Sequence, residues 1–474
     1  GGSMVEKKKG FQIPHVYIMF MLVMFVVVIL SFIVPPGEFE RIPDPNNPNI
    51  MQVNPDAFHY VDRAEVKRIT PLDFFGAMHQ GVTGAGDIIV MLLIACGTLY
   101  LLEESGAIGA GINALLRQAE GKENLIMASL LIVFAILGAI GFGEGGIPFM
   151  PLCVSVVMGM GYDRITGFAT AACGLAVGFA SGMINMYTTG VSQQIVGLPL
   201  FSGVLFRGIA LVVFTIVCII YLLNYAKKIK KDPTKSYMGD IYLKQLEEME
   251  AVELEEIEFD LRKKIALVSL AFVFVLQAFG AIILHWTLVE ISALYLMYGI
   301  FLTIVLKYHP NDAATKFGFG AARILPAALA IGFAGGVMVL MNQAKIVDTA
   351  VFNLAKFLDG KPVIVTFLLL FLSVVIFNFF VVSGSGKALI LMPIMSPLGK
   401  ILGINQQIMV LLYQYGDGFT NYLWPTAGAL MAALGMCSLG YDKWLKFAVK
   451  LFVFLHVVAF ALILIADKIN YGPF

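Results

Sequence analysis

Three ionisable residues lie where the surrounding composition should exclude charge. Glu144 sits in Gly141-Phe142-Gly143-Glu144-Gly145-Gly146-Ile147-Pro148, Lys387 in Ser383-Gly384-Ser385-Gly386-Lys387-Ala388, and Asp417 in Gly416-Asp417-Gly418-Phe419-Thr420-Asn421. Unpaired polar groups in hydrocarbon cost several kcal/mol each, so such stretches must line a protected or wet site, and function is the default reading. Two acids against one lysine suit a substrate with extra positive charge, or a smaller anion accompanied by Na⁺ or H⁺. Neutral hydrogen bonds would come from Ser181, Asn185, Thr188, Asn421 and Thr426, with Ser383, Ser385 and Gly145 at the glycine-rich breaks. Two plainer readings stand beside this one. Lys387 would simply neutralise Asp417 or Glu144 as a buried pair, and any helical Ser or Thr would bond back to its own backbone.

The elements that must hold these residues follow from composition. The chain has 474 residues, 59% hydrophobic and only 14% charged, with mean hydropathy +0.85. Soluble domains carry about 25% charged residues, so this is an all-α polytopic membrane protein. Lys+Arg and Asp+Glu balance at 32 each, which gives no argument for nucleic acid. Five cysteines and six histidines show no ligand spacing, so the cysteines read as packing residues. No paired nucleophile and base appears within an apolar run, which argues against an enzyme. Gly1-Gly2-Ser3 ahead of Met4 is set aside, and Val16–Val34 is expected to be a retained first span.

Spans are expected at Val16–Val34, Asp87–Leu102, Leu200–Tyr225, Ile265–Leu284, Ile291–Leu306, Ile324–Leu340 and Trp444–Ile465, with surface helices at Ala107–Ala119 and Lys345–Leu358. Lys7-Lys8-Lys9 and the lysines from Lys227 to Lys231 place the N-terminus and the centre of the chain in the cytoplasm. Residues 35–86 then form an external segment of no legible role. The run Phe149–Met160 reaches about 18 Å, short of a core of roughly 30 Å, so it turns back as one arm of a re-entrant hairpin. Leu389–Leu402 is the matching arm in the second half.

A single shift lays Met150-Pro151 on Met392-Pro393 and Gly161 on Gly403. The first repeat is residues 11–225, with a hairpin at about 124–160 and a broken helix at 165–190. A charged cytosolic linker covers 226–263, and the second repeat covers 264–468, with a hairpin at 362–402 and a broken helix at 406–436. Counting spans puts the two hairpins on opposite sides, so the repeats are inverted, a transporter signature with substrate held near the midplane. Helix termini brought there favour anions at N-termini and cations at C-termini.

Glu144-Gly145-Gly146-Ile147-Pro148-Phe149, Gly161-Tyr162-Asp163, Gly197-Leu198-Pro199-Leu200-Phe201-Ser202-Gly203, Ser383-Gly384-Ser385-Gly386, Met392-Pro393, and Gly416–Asn421 followed by Pro425-Thr426 resemble the YfcC-like branch of the C4-dicarboxylate anaerobic carrier (DcuC) group, in the ion transporter superfamily. The resemblance spans nearly the whole chain. It implies an elevator transporter of the bacterial cytoplasmic membrane, usually a homodimer, whose scaffold stays put while both hairpins and broken helices move. It also implies basic amino acids, by arginine/ornithine-type exchange, or dicarboxylates as substrates. The chain departs from the group's usual pattern at Gly145, Lys387 and Met186, where a second acid, a glutamine and the proline of an Asn-Pro pair are common.

The leading expectation is an exchanger of cationic amino acids. In it Lys387 and the hairpin N-termini hold the α-carboxylate, and Glu144 and Asp417 hold amino or guanidino groups. The alternative is Na⁺- or H⁺-coupled transport of dicarboxylates or other small carboxylates, with a candidate Na⁺ site near Gly143, Glu144 and Asn185. No other cofactor is expected. A passive channel fits paired hairpins poorly.

Overall fold

The computed structural model describes residues 15–43, 51–111, 114, 121–139, 141, 143–251, 259–284, 286–358 and 360–472. The expected surface helix at 107–119 falls largely outside them.

Apolar runs become helices where expected. They are α1 (Val16–Ile33), α2 (Pro71–Gly84), α3 (Gly86–Glu104), α4 (Glu123–Ala139), α5 (Met150–Gly159), α6 (Arg164–Ser181), α7 (Val191–Val196) and α8 (Val204–Lys231) in the first half. The rest are α9 (Asp240–Ala251), α10 (Leu261–Ile283), α11 (Leu288–Val305), α12 (Pro310–Gln343), α13 (Val347–Leu358), α14 (Val363–Phe380), α15 (Gly384–Ile401), α16 (Gln406–Gly418), α17 (Gly428–Met436) and α18 (Tyr441–Lys468). Seven of the described helices are long and apolar enough to cross a membrane. The molecule is thus a polytopic membrane protein.

Two groups of helices can be distinguished. In one, α1, α2 and α3 gather around α12, and α11 packs on α3. The approach of α2 to α12 is so close that a Cβ on Gly81 would stand 2.1 Å from the Gly332 carbonyl oxygen. In the other, α4 lies along α6, α5 folds back on α6, and α14 and α15 flank α16. The two meet chiefly where α12 packs on α17.

Both halves run in the same order: helix, glycine-rich break, helix, then a discontinuous helix and a long final helix. The first discontinuity follows Ser181. Gly182 takes φ +62°, where a Cβ would stand 2.3 Å from Thr189 Oγ1, so no other residue fits without strain. A π-turn at Met186–Gly190 and α7 follow. In the second half α16 stops at Gly418, a single turn covers Phe419–Tyr422, and α17 resumes at Gly428.

Three features differ from expectation. The helix read as Ile324–Leu340 begins at Pro310, because polar residues such as Asn311, Asp312 and Lys316 face outward and continue the helix rather than end it. The polar stretch Ser383–Ala388, at the junction of α14 and α15, is mostly helical, since α15 starts at Gly384. Within residues 35–86 the chain forms an antiparallel hairpin of β1 (Gly37–Pro43) and β2 (Met51–Tyr60). It is docked by Phe58 stacking on Phe352 at 4.0 Å and by Asp348 accepting from Phe39 N at 2.9 Å.

Candidate functional site

Lys387 lies in the first turn of α15, where a cation is disfavoured by the exposed amides of the helix N-terminus. Its surroundings reverse that preference. Nζ stands 2.5 Å from Asp417 Oδ1 and 3.2 Å from the Val381 carbonyl, and donates also to Asn378 Oδ1. The three donors of the ammonium are all used. Neither Lys387 nor Asp417 exposes side-chain surface. The first of the plain readings, a buried pair of Lys387 with Asp417, is thus the arrangement found.

Asn378, in the last turn of α14, ties the pair to the second break. Its amide donates to Thr420 Oγ1 at 2.7 Å and Asn421 Oδ1 at 2.9 Å. Asn421 Nδ2 reaches Asp417 Oδ2 at 3.5 Å. Tyr413 OH donates to the Gly384 carbonyl. Asp417 therefore spends Oδ1 on Lys387 and keeps Oδ2 toward Gly384 and Asn421. A Cβ on Gly384 would stand 3.6 Å from that oxygen and 2.6 Å from Thr188 Cγ2.

The two discontinuous helices are joined directly. Gln414 Nε2 donates at 2.6 Å to the Phe179 carbonyl, which also accepts the Gly182 N–H at 3.2 Å where α6 ends, and Thr189 Oγ1 donates to Gln414 Oε1 at 3.0 Å. This brings Thr188 against Gly384, beside the Lys387–Asp417 pair, while Asn185 lies against Gly141 of the first break.

A cavity of about 390 Å³ opens beside it. Gly141, Gly143, Ile147 and Met150 line it from the first break, Val381, Ser383 and Gly384 from the second, and Asn421 and Tyr422 from the turn after Asp417. Ile88 of α3 and Ile331, Gly335 and Met338 of α12 close the far wall. The cavity thus lies between the two helix groups, and Val381, Gly384 and Asn421 are shared by its wall and the ion pair.

The other expected residues divide. Asn185 accepts from the amides of Tyr187 and Thr188 at 3.0 and 3.3 Å, while its Nδ2 is buried without a partner. Thr188 Oγ1 and Thr426 Oγ1 are likewise buried and unpaired. Ser181 bonds back to the Gly178 carbonyl at 2.6 Å, so it serves its own helix. The backbone of Glu144, Gly145 and Ser385 is described, with Glu144 opening the short 3₁₀ helix Glu144–Phe149, but the side chains of Glu144 and Ser385 lie outside the described residues. A cation between Gly143 and Asn185 would have to share Asn185 Oδ1 with two amides. Asn378 was not singled out from the sequence, although an amide within Val363–Phe380 was a signal.

A many-helix membrane protein with two interrupted helices crossing beside a midchain cavity is a small-molecule transporter. The family model for the C4-dicarboxylate anaerobic carrier, DcuC, matches residues 13–468, and the chain belongs to that family. It is 32% identical over 405 residues to the Escherichia coli protein named "Putative basic amino acid antiporter YfcC", covering 82% of this chain and 79% of that one. An uncharacterized Haemophilus influenzae protein is 25% identical over 490 residues, covering 94% and 95%. The crystal structure of the Alcanivorax borkumensis YdaH transporter covers 97% of this chain and 100% of its own, with TM-score 0.43 and 15% identity.

Proposed function

We propose that this chain is a secondary active exchanger of cationic amino acids, of the arginine/ornithine type, working as an elevator in a homodimer of the bacterial cytoplasmic membrane. The observation that carries the reading is the division of labour at Asp417. Oδ1 is neutralised by Lys387, whereas Oδ2 stands behind the cavity-lining Gly384 and Asn421. A substrate guanidinium or ammonium entering the cavity competes with Lys387 for the carboxylate, and the displaced lysine is then the partner for the substrate's α-carboxylate. Asn185 Nδ2, Thr188 Oγ1 and Thr426 Oγ1 supply unused hydrogen-bonding groups, and Glu144, Gly145, Ser383 and Ser385 complete the two glycine-rich breaks. The name of the Escherichia coli relative agrees with this class of substrate.

In the elevator reading the hairpins around 124–160 and 362–402 and the broken helices at 165–190 and 406–436 move past α12, as inverted repeats on opposite membrane faces. A second reading is Na⁺- or H⁺-coupled transport of dicarboxylates or other small carboxylates, with Lys387 facing the substrate; the family's description as a C4-dicarboxylate carrier supports its substrate class. A thermal-shift panel of arginine, ornithine, lysine, neutral amino acids and dicarboxylates, each in Na⁺ or choline, separates the two. Exchange is expected to show as arginine and ornithine stabilisation independent of Na⁺. Stabilisation by dicarboxylates alone, in Na⁺ alone, defeats it.

A further inference from the structure

A second cavity, of about 230 Å³, lies on the other side of the wall made by the turn Glu144–Phe149 and α17. The first cavity takes Ile147 and Met150 from that wall, and the second takes Pro148 and Pro151. Along α12 the two are offset from Gly335 to Arg323, about twelve residues or roughly 18 Å at 1.5 Å per residue. Both therefore lie on the seam between the helix groups, at different depths.

The second cavity carries what the first lacks among its described lining, a pair of accessible opposite charges. Arg323 on α12 and Glu103 at the end of α3 both line it. Their side chains are 60% and 55% exposed, a setting in which an ion pair contributes about 0–1 kcal/mol and is readily exchanged. Arg323 gives one nitrogen, Nη1, to both Glu103 oxygens at 3.2 Å, which leaves the Nε and Nη2 donors of the planar guanidinium. The Tyr100 ring, 5.3 Å away, holds that guanidinium from below. An arginine that served only to clip α3 to α12 would gain most from two parallel bonds to the carboxylate, and this one is turned so that an edge remains.

We infer that Arg323, Glu103 and Tyr100 form an ancillary binding site for an amino acid, in which Arg323 takes the α-carboxylate and Glu103 the α-ammonium as substrate enters or leaves the principal cavity. The ligand class rests on the proposed function, while the site itself rests on the geometry of α3 and α12.

Calorimetric titration of the full-length protein with L-arginine is the test. Two binding events are expected. The neutralised double variant Lys387→Gln/Asp417→Asn should lose one and keep the other, and Arg323→Gln should weaken the kept event at least tenfold, with Glu103→Gln as a second variant should that one fold poorly. Agmatine, which has the guanidinium without the carboxylate, should bind the Arg323 site at least tenfold more weakly than arginine. A single event lost in Lys387→Gln/Asp417→Asn and untouched by Arg323→Gln overturns the inference. A single event lost only in Arg323→Gln upholds it and defeats the proposed principal site. Absence of any arginine binding overturns both.

Discussion

Gln414, midway along α16, hydrogen-bonds the Phe179 carbonyl at 2.6 Å, so that the end of one interrupted helix is closed by a side chain from the other. Among the described residues this bond and its neighbour Thr189–Gln414, at 3.0 Å, hold the two discontinuities in register. Replacing Gln414 by Leu removes both bonds and leaves the buried Thr189 hydroxyl without its acceptor, a loss of about 1–3 kcal/mol. The melting temperature in detergent should fall clearly for Gln414→Leu and less for Thr189→Val, which keeps the bond to Phe179. Equal melting temperatures for all three proteins would show that the crossing is held by its other contacts, Gln193–Gln407 at 3.2 Å among them.

The ion pair behind the cavity makes a sharper forecast. Removing one partner of a buried pair costs about 3–5 kcal/mol because the other charge is stranded, whereas removing both is often near neutral. Asp417→Asn and Lys387→Gln should each melt well below the parent, and the double variant should recover most of the loss. Additive losses would mean that the two side chains are not energetically coupled. All three variants should lose high-affinity arginine binding at the principal cavity, and Lys387→Gln should alter the ion dependence of uptake in proteoliposomes.

Much of this arrangement was legible in the residue order, and the rest was hidden for physical reasons. Apolar composition located the long helices, and Gly182, Gly384 and Gly418 marked the breaks because few other residues fit there. The buried partner of Lys387 was open between two acids, since a contact between residues 30 apart is set by how α15 packs on α16. Asn378 was lost in a run whose only other polar residues are Thr366 and Ser373. The β-hairpin within 35–86 was missed because its polar residues satisfy one another and α13 rather than forming an alternating apolar face.

That hairpin supplies a pH forecast outside the membrane spans. The hydrogen bond from Lys345, at 2.8 Å, holds the Glu38 carboxyl below its ordinary value of 4.5. A carboxyl with a depressed folded-state pKa contributes stability above its unfolded value and loses it as pH falls through the folded one. Docking of β1 should therefore be constant near neutrality and weaken once pH drops below about 4.5. In Glu38→Gln that acid-side loss should be smaller. Hydrogen exchange at the β1 amides, followed from pH 7 to 3, checks both, and identical profiles in parent and variant would remove Glu38 from the account.

The hairpin also ties two parts of the chain that the elevator reading must keep together or let slip. Phe58 on β2 stacks on Phe352 of α13 at 4.0 Å, β2 packs along α15, and Gly37 N bonds the Lys345 carbonyl just beyond α12. A stacked aromatic pair adds about 0.5–1.5 kcal/mol beyond its burial, so Phe352→Ala should lower the melting temperature by more than its lost area alone. If β2, α13 and α15 travel as one body, cysteines replacing Phe58 and Phe352 should cross-link under oxidation without slowing exchange in proteoliposomes. Arrest of exchange on oxidation, relieved by reduction, would instead show that β2 and α13 separate in every cycle.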